Sequence, residues 1–345
     1  MEEKKCLLCF VVPFFGKLPD TMPFFLKTCA DNPDYNWLLL TDDKTNYGYP
    51  DNVTVKYCSF DNIKKRIQSV FDFEISIERA MRLCSFKPAY GYIFSEELKD
   101  YEYWGYCDLD QFFGNINNFL SAEFMRQYDK LFCLGHLTIY RNTEEINSVF
   151  KNTARNENLR IKSYVDIFKG ADIAFDEWPE DCVNINILFD EAGLKSYYGN
   201  QMLCDVVPYI SRFEQVMFNV EKMTWELAPI KNFVFIYKNG QLYKVSKSEM
   251  VKSYKYEEIL YVHLQKRKMV SVSNIQGNNN FLIYPNKIIS FISGEEDKLL
   301  KKCCRQIALR RFFRIDEVSH YCTTKINLLK YIIVKHIFRK EKSRK

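Results

Sequence analysis

The first long apolar run of the chain is the feature that most restricts its fold. The run extends from Leu7 to Phe15, is rich in β-forming residues, and is closed by Gly16 and Pro19. A continuous apolar strand is typical of parallel sheets, whose strands are covered on both faces. The run therefore predicts a central strand whose carboxyl end opens a site.

Shorter strand and helix patterns follow this run. We predict helices over Thr21–Ala30, Ile63–Val70, Ser76–Ser95 and Glu144–Asn152, and strands over Trp37–Leu40, Val53–Phe60, Tyr103–Leu109, Lys130–Tyr140, Phe233–Tyr237, Gln241–Val245, Ile259–Leu264 and Phe281–Tyr284. Strands that alternate with helices indicate an α/β sheet. Asn239-Gly240 lies between two of these strands and is a strong signal for a type I′ hairpin turn.

Composition restricts the class of protein. With 47% hydrophobic and 27% charged residues among 345, the chain is not disordered, and its length allows one α/β domain or two domains. The amino terminus has the lysines and apolar run of a signal peptide, but Glu2 and Glu3 offset the lysines and Pro13 interrupts the run. The 12 cysteines are scattered, many in apolar runs, as expected of buried thiols in a reducing compartment. We therefore expect a cytoplasmic protein.

The carboxyl-terminal segment differs in charge from the rest of the chain. Lys298–Lys345 contains 15 Lys or Arg and 3 Asp or Glu, a net charge of +12, which leaves −7 for residues 1–297. We therefore divide the chain into a domain over 1–295 and a basic amphipathic helical tail over 296–345. Such a tail suits an anionic membrane surface, although packing on the domain is equally compatible with the pattern. The acidic body argues against nucleic acid as a partner.

An Asp-x-Asp motif carries the clearest chemical signal. Asp108 and Asp110 end the aromatic strand Tyr103–Leu109, and alternation along an extended chain would place both carboxylates on one side. Two such carboxylates are hard oxygen ligands for Mg²⁺ or Mn²⁺, and the bound ion could hold a nucleotide diphosphate. A solvated turn is the alternative interpretation.

Several segments together resemble a known superfamily. They are Pro13–Pro19, Trp37–Asp42, Lys87–Gly91, Trp104–Asp110 and Gly135–Asn142. In these segments, which span about residues 5–270, the chain resembles the GT-A glycosyltransferases, in particular a group of bacterial proteins found with polysaccharide and capsule biosynthesis. The resemblance implies a Rossmann-like mixed sheet flanked by helices, a nucleoside-diphosphate-sugar donor, and Mn²⁺ or Mg²⁺ between the Asp-x-Asp motif and the diphosphate.

The resemblance also implies ligands beyond the two aspartates. GT-A enzymes commonly complete the metal shell with a late histidine, and His263 is the best candidate because Lys266 follows it as a cation for the diphosphate. The alternative is a strand histidine with solvated charges beside it. Thr41 and Asp42 end the second strand, where α/β sheets bind nucleotides, and the resemblance assigns Asp42 to the base or ribose. A simple turn at Asp42 competes with this role.

Other candidate residues rest on weaker signals. The loop Pro13-Phe14-Phe15 should lie under the nucleotide, and Lys87 is a candidate for the phosphate or sugar. His136 follows Gly135 and is a candidate for catalysis or acceptor binding, although a core histidine is the more common case. Asp190 and Glu191 end an apolar run and are candidates for the catalytic base, with a helix cap as an equal alternative.

These observations predict a metal-dependent glycosyltransferase. It would transfer a sugar from a nucleoside-diphosphate-sugar to a bacterial polysaccharide or lipid-linked glycan, in the cytoplasm or on the inner face of the plasma membrane. The alternatives are another enzyme that processes nucleotide sugars and a non-catalytic, membrane-associated scaffold. The Gly-rich phosphate loop that would favour another nucleotide-dependent enzyme does not follow the first strand.

Overall fold

A computed structural model describes residues 6–170, 174–177, 181–208, 212–219, 221–222, 224–229, 232–247, 253–267, 269–271 and 280–303. The strands are β1 (Cys6–Pro13), β2 (Tyr35–Thr41), β3 (Val53–Tyr57), β4 (Tyr101–Cys107), β5 (Gln111–Phe113), β6 (Lys130–Leu134), β7 (Leu137–Arg141), β8 (Ser196–Tyr197), β9 (Leu203–Val206), β10 (Gln215–Asn219), β11 (Thr224–Leu227), β12 (Phe233–Lys238), β13 (Gln241–Lys247), β14 (Tyr254–Glu258), β15 (Tyr261–His263), β16 (Val270–Ser271), β17 (Asn280–Tyr284) and β18 (Lys287–Phe291). The α-helices are α1 (Met22–Ala30), α2 (Phe60–Ser69), α3 (Tyr90–Ile93), α4 (Ser95–Leu98), α5 (Ala122–Met125), α6 (Glu144–Ser148), α7 (Tyr164–Phe168) and α8 (Ile185–Glu191). The described chain therefore has a mixed α/β fold, as predicted.

The first sheet has seven strands in the order β3–β2–β1–β4–β7–β6–β8. β1 pairs in parallel with both β2 and β4, and β2 pairs in parallel with β3, whereas β7 is antiparallel to both of its neighbours. The chain moves outward from β1 to β3 and then returns to place β4 on the other side of β1. This reversal of strand order creates a crevice at the carboxyl ends of β1 and β4.

The central strand β1 is covered on both faces, as its sequence predicts. Leu8 and Phe10 belong to the core on one face of the sheet, whereas Cys9 and Val11 belong to the core on the other. All four side chains are almost fully buried, and each large apolar side chain removed from water contributes about 1.5–3 kcal/mol. β1 therefore anchors the sheet from both sides.

Two further sheets pack against the first core. The second sheet has the order β11–β10–β9–β15–β5, and the third has the order β14–β13–β12–β17–β18–β16. Phe281 of the third sheet contacts Phe24 of α1 and Phe112 of β5, with ring centroids 5.1 and 5.9 Å away. Asn239 and Gly240 connect β12 and β13 with positive φ angles, which confirms the predicted hairpin turn. One apolar cluster thus joins all three sheets.

Two predicted elements are wrong. The single strand over Lys130–Tyr140 is a hairpin, in which the chain reverses at Gly135-His136 and β6 pairs with β7. The helix predicted over Ser76–Ser95 is mostly a 3₁₀ helix over Ala80–Ala89, followed by the short helices α3 and α4. Pro88 lies in this segment and cannot donate a backbone hydrogen bond, which disfavours a continuous α-helix.

The start of the predicted tail packs on the third sheet. The chain is helical from 296 to 303, where the described residues end, and Leu300 and Cys303 are buried against Val234 and Leu282. The rest of the predicted amphipathic tail lies outside the described residues. Among the helices of the described residues, none combines the length and the apolar character that a membrane crossing requires.

Gly105 of β4 offers a test of the packing beside the site. A Cβ atom there would lie 2.7 Å from the carbonyl oxygen of Thr138 and 3.2 Å from side-chain atoms of Phe10 and Ile139. We expect Gly105→Ala to lower the free energy of unfolding by about 1–3 kcal/mol, because backbone on the neighbouring strand must move. Urea denaturation would measure this, with the exposed Thr54→Ala as the control, and an unchanged stability would contradict the predicted clash.

Candidate metal centre

Two aspartates lie at the carboxyl end of β4. Asp108 comes directly after Cys107, and Asp110 directly precedes β5. The chain turns at Leu109 and Asp110, so the predicted alternation along one extended strand is wrong as the cause of their proximity. The turn nevertheless brings a carboxylate oxygen of each residue and a ring nitrogen of His263 within 4.8 Å of one another.

His263 reaches the two aspartates through strand pairing. β15 is antiparallel to β5, and its register places His263 opposite Gln111, the residue that follows Asp110. The Nε2 atom of His263 lies 3.5 Å from Oδ1 of Asp110 and 4.0 Å from Oδ2 of Asp108. The structure therefore brings together the three residues that the sequence proposes as metal ligands.

A third carboxylate lies on the other side of His263. Asp205 of β9 is in register with His263, and its Oδ1 atom accepts a hydrogen bond of 2.9 Å from Nδ1. Burial disfavours the charged imidazolium, but the hydrogen bonds to Asp110 and Asp205 outweigh burial and raise the pKa of His263 to about 10. In the metal-free protein, the protonated ring therefore supplies the positive charge that the carboxylates require.

Lys87, in the 3₁₀ helix Ala80–Ala89, places a second positive charge beside Asp108. Its buried Nζ atom donates hydrogen bonds to Asp108 Oδ1 at 2.9 Å and to the Gly135 carbonyl at 2.6 Å, and it lies 3.7 Å from Asp176 Oδ2. Burial opposes the ammonium charge, yet Asp108 and the other nearby acidic groups raise the pKa of Lys87 well above its usual value. Burial raises the pKa of Asp176 to about 7 despite the nearby ammonium.

The turn after β15 fastens the Asp-x-Asp segment. Gln265 and Lys266 both have positive φ, at 48° and 58°, a conformation that is uncommon for residues other than glycine and often occurs at functional sites. The backbone N–H of Lys266 donates to a carboxylate oxygen of Asp110, and the N–H of Leu264 donates to the Asp110 carbonyl at 3.0 Å. The strained turn thus fixes Asp110 at two points.

A cavity of about 540 Å³ opens beside these residues. It is lined by the predicted loop residues Pro13, Phe14 and Phe15, by the predicted polar residues Lys87, Asp108, Asp110 and Lys266, and by apolar side chains that include Met81, Leu83 and Tyr90. The cavity lies in the crevice between the carboxyl ends of β1 and β4. Its walls are mainly apolar, with charged groups near one another, which is the usual composition of a small-molecule site.

The residues predicted to contact the nucleotide at the end of β2 make hydrogen bonds within the protein. Thr41 is buried, and its hydroxyl accepts the N–H of Asp43 at 3.1 Å. Asp42 is exposed, and its Oδ1 accepts the N–H of Gly16 at 2.7 Å, which holds the loop after β1. Neither residue is among those that line the 540 Å³ cavity. The described geometry therefore favours the turn interpretation of Asp42.

The predicted catalytic bases lie outside the cluster. Asp190 is exposed at the end of α8 and accepts a hydrogen bond of 3.3 Å from the Tyr198 hydroxyl. Glu191 accepts the backbone N–H of Arg155 and lines a separate pocket of about 270 Å³. Neither acid lines the larger cavity as the structure describes it. Their placement supports the helix-end interpretation, since α8 ends at Glu191.

His136 and Asp205 extend the cluster into the core. The His136 ring stacks on that of His263 with centroids 4.1 Å apart, and burial together with the charge of His263 lowers the pKa of His136 to about 3. Sequence reasoning proposed His136 but missed Asp205. The available signal was an acid inside the apolar run Leu203-Cys204-Asp205-Val206, since a buried charge requires a partner.

Comparison with known protein families gives one match. The profile of a group described as "Family of unknown function (DUF6625)" matches residues 10–292, which is more than three quarters of the chain. The chain belongs to this family. The DUF6625 region contains every residue of the cluster described above, from Lys87 to His263. A search of curated proteins found no match to the chain.

The donor set fits a divalent cation. Asp108 and Asp110 offer carboxylate oxygens, and His263 offers Nε2 on the same side. Oxygen ligands with one imidazole suit Mn²⁺ and also Zn²⁺, whereas Mg²⁺ prefers oxygen ligands alone. The second group of convergent donors in the described residues is His136, Asp205 and His263. That group is wholly buried, whereas the first borders the cavity, so a cation that also binds a substrate requires the first group.

Proposed function

We propose that the protein is a metal-dependent glycosyltransferase with a GT-A fold. The observation that carries this proposal is the convergence of Asp108, Asp110 and His263 at the edge of a 540 Å³ cavity between β1 and β4. The parallel order β3–β2–β1–β4, with its reversal at β1, supports a nucleotide in that crevice. The donor would be a nucleoside-diphosphate-sugar, and the acceptor a polysaccharide or lipid-linked glycan.

In this proposal the metal ligands, the cation Lys266 and the aromatic residues of the cavity have separate roles. Asp108, Asp110 and His263 would hold Mn²⁺ or Mg²⁺, which when bound offsets the negative charge of the leaving diphosphate. The exposed Lys266 side chain lines the cavity and adds positive charge for the phosphates. The aromatic residues Phe14 and Phe15 supply apolar wall for the nucleoside, and the strained turn at Gln265-Lys266 keeps Asp110 in place before substrate arrives.

The proposed location is the cytoplasmic side of the membrane. All ten cysteines of the described residues are free thiols, including the buried Cys9, Cys29 and Cys107, which suits a reducing compartment. The excess of Lys and Arg after residue 297 suits an anionic membrane surface. A peripheral enzyme on the inner leaflet would meet both its nucleotide donor and a lipid-linked acceptor.

Isothermal titration calorimetry with UDP and GDP tests the proposed donor site. We expect binding of at least one nucleotide in the presence of Mn²⁺ and loss of that binding when EDTA removes the ion. Hydrolysis or transfer with a panel of nucleotide sugars would then identify the donor. A full-length protein that binds no nucleoside diphosphate with or without Mn²⁺ would contradict the proposal and favour the scaffold alternative.

The affinity for Mn²⁺ should depend on pH through His263. The raised pKa of about 10 keeps the ring protonated at neutral pH, and a metal ligand must lose its proton. Each bound ion should therefore displace one proton, so that the dissociation constant falls about tenfold for each unit of rising pH between roughly pH 6 and 8. Titrations at three pH values would measure the slope.

Two variants assign this slope. His263→Asn should bind Mn²⁺ more weakly and with little pH dependence, because the titrating ring is gone. Asp176→Asn should keep the slope, which would exclude the Asp176 carboxyl, whose own pKa is about 7. A wild-type affinity that does not change with pH would contradict the release of a His263 proton on metal binding.

A further inference from the structure

A row of buried polar side chains lies next to the proposed metal ligand His263. Gln111, His136, Tyr261, Asp205 and His263 come from the adjacent strands β5, β9 and β15 and from the turn between β6 and β7. All five are at least nine-tenths buried. Burying so many polar groups is costly unless their hydrogen bonds are satisfied in one arrangement. The hydrogen bonds of these side chains therefore determine which ring nitrogen of each histidine carries a proton.

Gln111 determines the tautomer of His136. The backbone N–H of Asp108 is shared between the His136 carbonyl at 3.1 Å and the Gln111 Oε1 atom at 3.3 Å, and the amide Nε2 of Gln111 faces His136 Nδ1 at 3.1 Å. An amide nitrogen only donates, which requires Nδ1 of His136 to be an acceptor. The Tyr261 hydroxyl, 3.2 Å from the same Nδ1, can also donate to it. The ring proton of neutral His136 therefore lies on Nε2.

That proton faces Asp205. His136 Nε2 is buried, has no hydrogen-bond partner among the described residues, and lies 3.9 Å from Asp205 Oδ2. The same carboxylate accepts from His263 Nδ1 at 2.9 Å and from Gln265 Nε2 at 2.7 Å. Asp205 thus lies beside the stacked pair of imidazole rings and presents only acceptor atoms to both. Since His136 Nε2 carries a proton, the buried group formed by His136, Asp205 and His263 is not arranged to hold a second cation.

We infer that Asp205 is a positioning residue that commits His263 to bind the cation through Nε2. Because the carboxylate accepts the proton on Nδ1, the proton that the imidazolium loses on metal binding is the one on Nε2, the atom that faces Asp108 and Asp110. The stacked His136 ring limits rotation of the His263 ring. Carboxylate groups that orient metal-bound histidines in this way typically raise metal affinity 10–100-fold. The inference rests on the proposed metal site, although the tautomer of His136 follows from the geometry without a metal.

Metal titration of Asp205 variants is the first test. We expect Asp205→Ala to weaken Mn²⁺ binding about 10–100-fold, whereas Asp205→Asn, whose amide oxygen can still accept from Nδ1, should retain more affinity. Asp129→Ala is the control, because it removes a partly buried carboxylate away from the proposed metal site, one that pairs with Arg141 at 3.2 Å. The control should lose stability without losing Mn²⁺ affinity.

Nitrogen-15 NMR of the imidazole rings gives a readout that a purely structural role would not change. The chain has only four histidines, so His136→Gln and His263→Asn spectra assign the two buried rings. We expect His136 to carry its proton on Nε2, and His263 with diamagnetic Mg²⁺ or Zn²⁺ to carry its proton on Nδ1 only. Without metal, and at a pH where the ring is neutral, His263 of the wild type should keep its proton on Nδ1, whereas Asp205→Ala should show a mixture of the two tautomers.

The possible results separate this inference from the proposed function. Unchanged Mn²⁺ affinity in Asp205→Ala, in a protein whose wild type binds the ion, would overturn the role of Asp205 and leave the metal site intact. A proton on Nδ1 of His136 would overturn the hydrogen-bond arrangement of the row. A wild type that binds no divalent ion would instead overturn the proposed function, and the inference with it.

Discussion

Asp110→Asn should abolish detectable Mn²⁺-dependent nucleotide binding. The Asp110 carboxylate lies 3.5 Å from His263 Nε2 and accepts the N–H of Lys266, and its pKa is lowered to about 2 despite burial, chiefly by its hydrogen bond to His263. It is therefore ionised at any physiological pH. An amide at this position has no net charge, and we expect Mn²⁺ affinity to fall at least about 100-fold, since even the outer partners of metal ligands contribute 10–100-fold. Calorimetry with Mn²⁺ and UDP or GDP would measure the loss.

Asp100→Asn is the matched control for this prediction. Asp100 is exposed and lies just before β4, at the opposite end of the strand that leads to the Asp-x-Asp motif. The control removes the same charge at the other end of β4 and should bind Mn²⁺ and nucleotide as the wild type does. An equal loss of Mn²⁺ affinity in the two variants would contradict the role of Asp110 as a metal ligand. Full nucleotide binding by a folded Asp110→Asn protein would contradict it as well.

Lys87→Met should be strongly destabilising. The substitution leaves Asp108 and the buried Asp176 without the ammonium that lies 2.9 and 3.7 Å from them. Removing one partner of a buried ion pair typically costs 3–5 kcal/mol, and we expect a loss near the lower limit because Asp108 is partly exposed. Chemical denaturation followed by circular dichroism would measure the change in the free energy of unfolding.

The loss should grow with pH. Burial already raises the pKa of Asp176 to about 7, and removing Lys87 raises it further. An acid whose pKa is raised by folding binds a proton more tightly in the folded state, so its stabilising contribution is complete below about pH 4 and is lost as pH rises through the folded pKa. Lys87→Met should therefore be less destabilised at about pH 5 than at about pH 8, and adding Asp176→Asn should recover most of the difference.

Lys130→Met is the corresponding control. Lys130 is also buried, but its ammonium donates to neutral oxygens, the carbonyl of Phe132 at 3.1 Å and Oδ1 of Asn186 at 2.6 Å. Burial lowers the pKa of Lys130 to about 8, so this group titrates mainly above the range of the test. A Lys87→Met protein no less stable than Lys130→Met, or with the same stability at both pH values, would refute the ion-pair argument.

The sequence predicted the parts of the fold and site that depend on local patterns. The apolar run of β1 indicated a strand covered on both faces, and the position of Asp108 and Asp110 after an aromatic strand placed them at the carboxyl edge of a sheet. His263 could be proposed because a strand pattern ends near it and cations follow. Each of these features extends over about ten residues or fewer.

The missed features depend on contacts between distant segments. The sequence gives the strand pattern near His263 but not its register against β5, which places Nε2 beside Asp110. Asp205 became recognisable only when β9 was seen next to β15. The reversal at Gly135-His136 was missed because apolar residues on both sides read as one strand. Asp190 and Glu191 looked like site residues because a helix end and a substrate loop have the same local signals.

The pairing of β15 between β5 and β9 has a consequence for the order of assembly. Asp108, Asp205 and His263 are separated by about a hundred and by about sixty residues along the chain, and β15, which pairs with both β5 and β9, brings them together. A nascent chain that has emerged only as far as β9 lacks the imidazole of the proposed metal site. Metal binding would therefore require the second sheet to be complete. Free Mn²⁺ would then shift the equilibrium toward fully folded molecules by mass action.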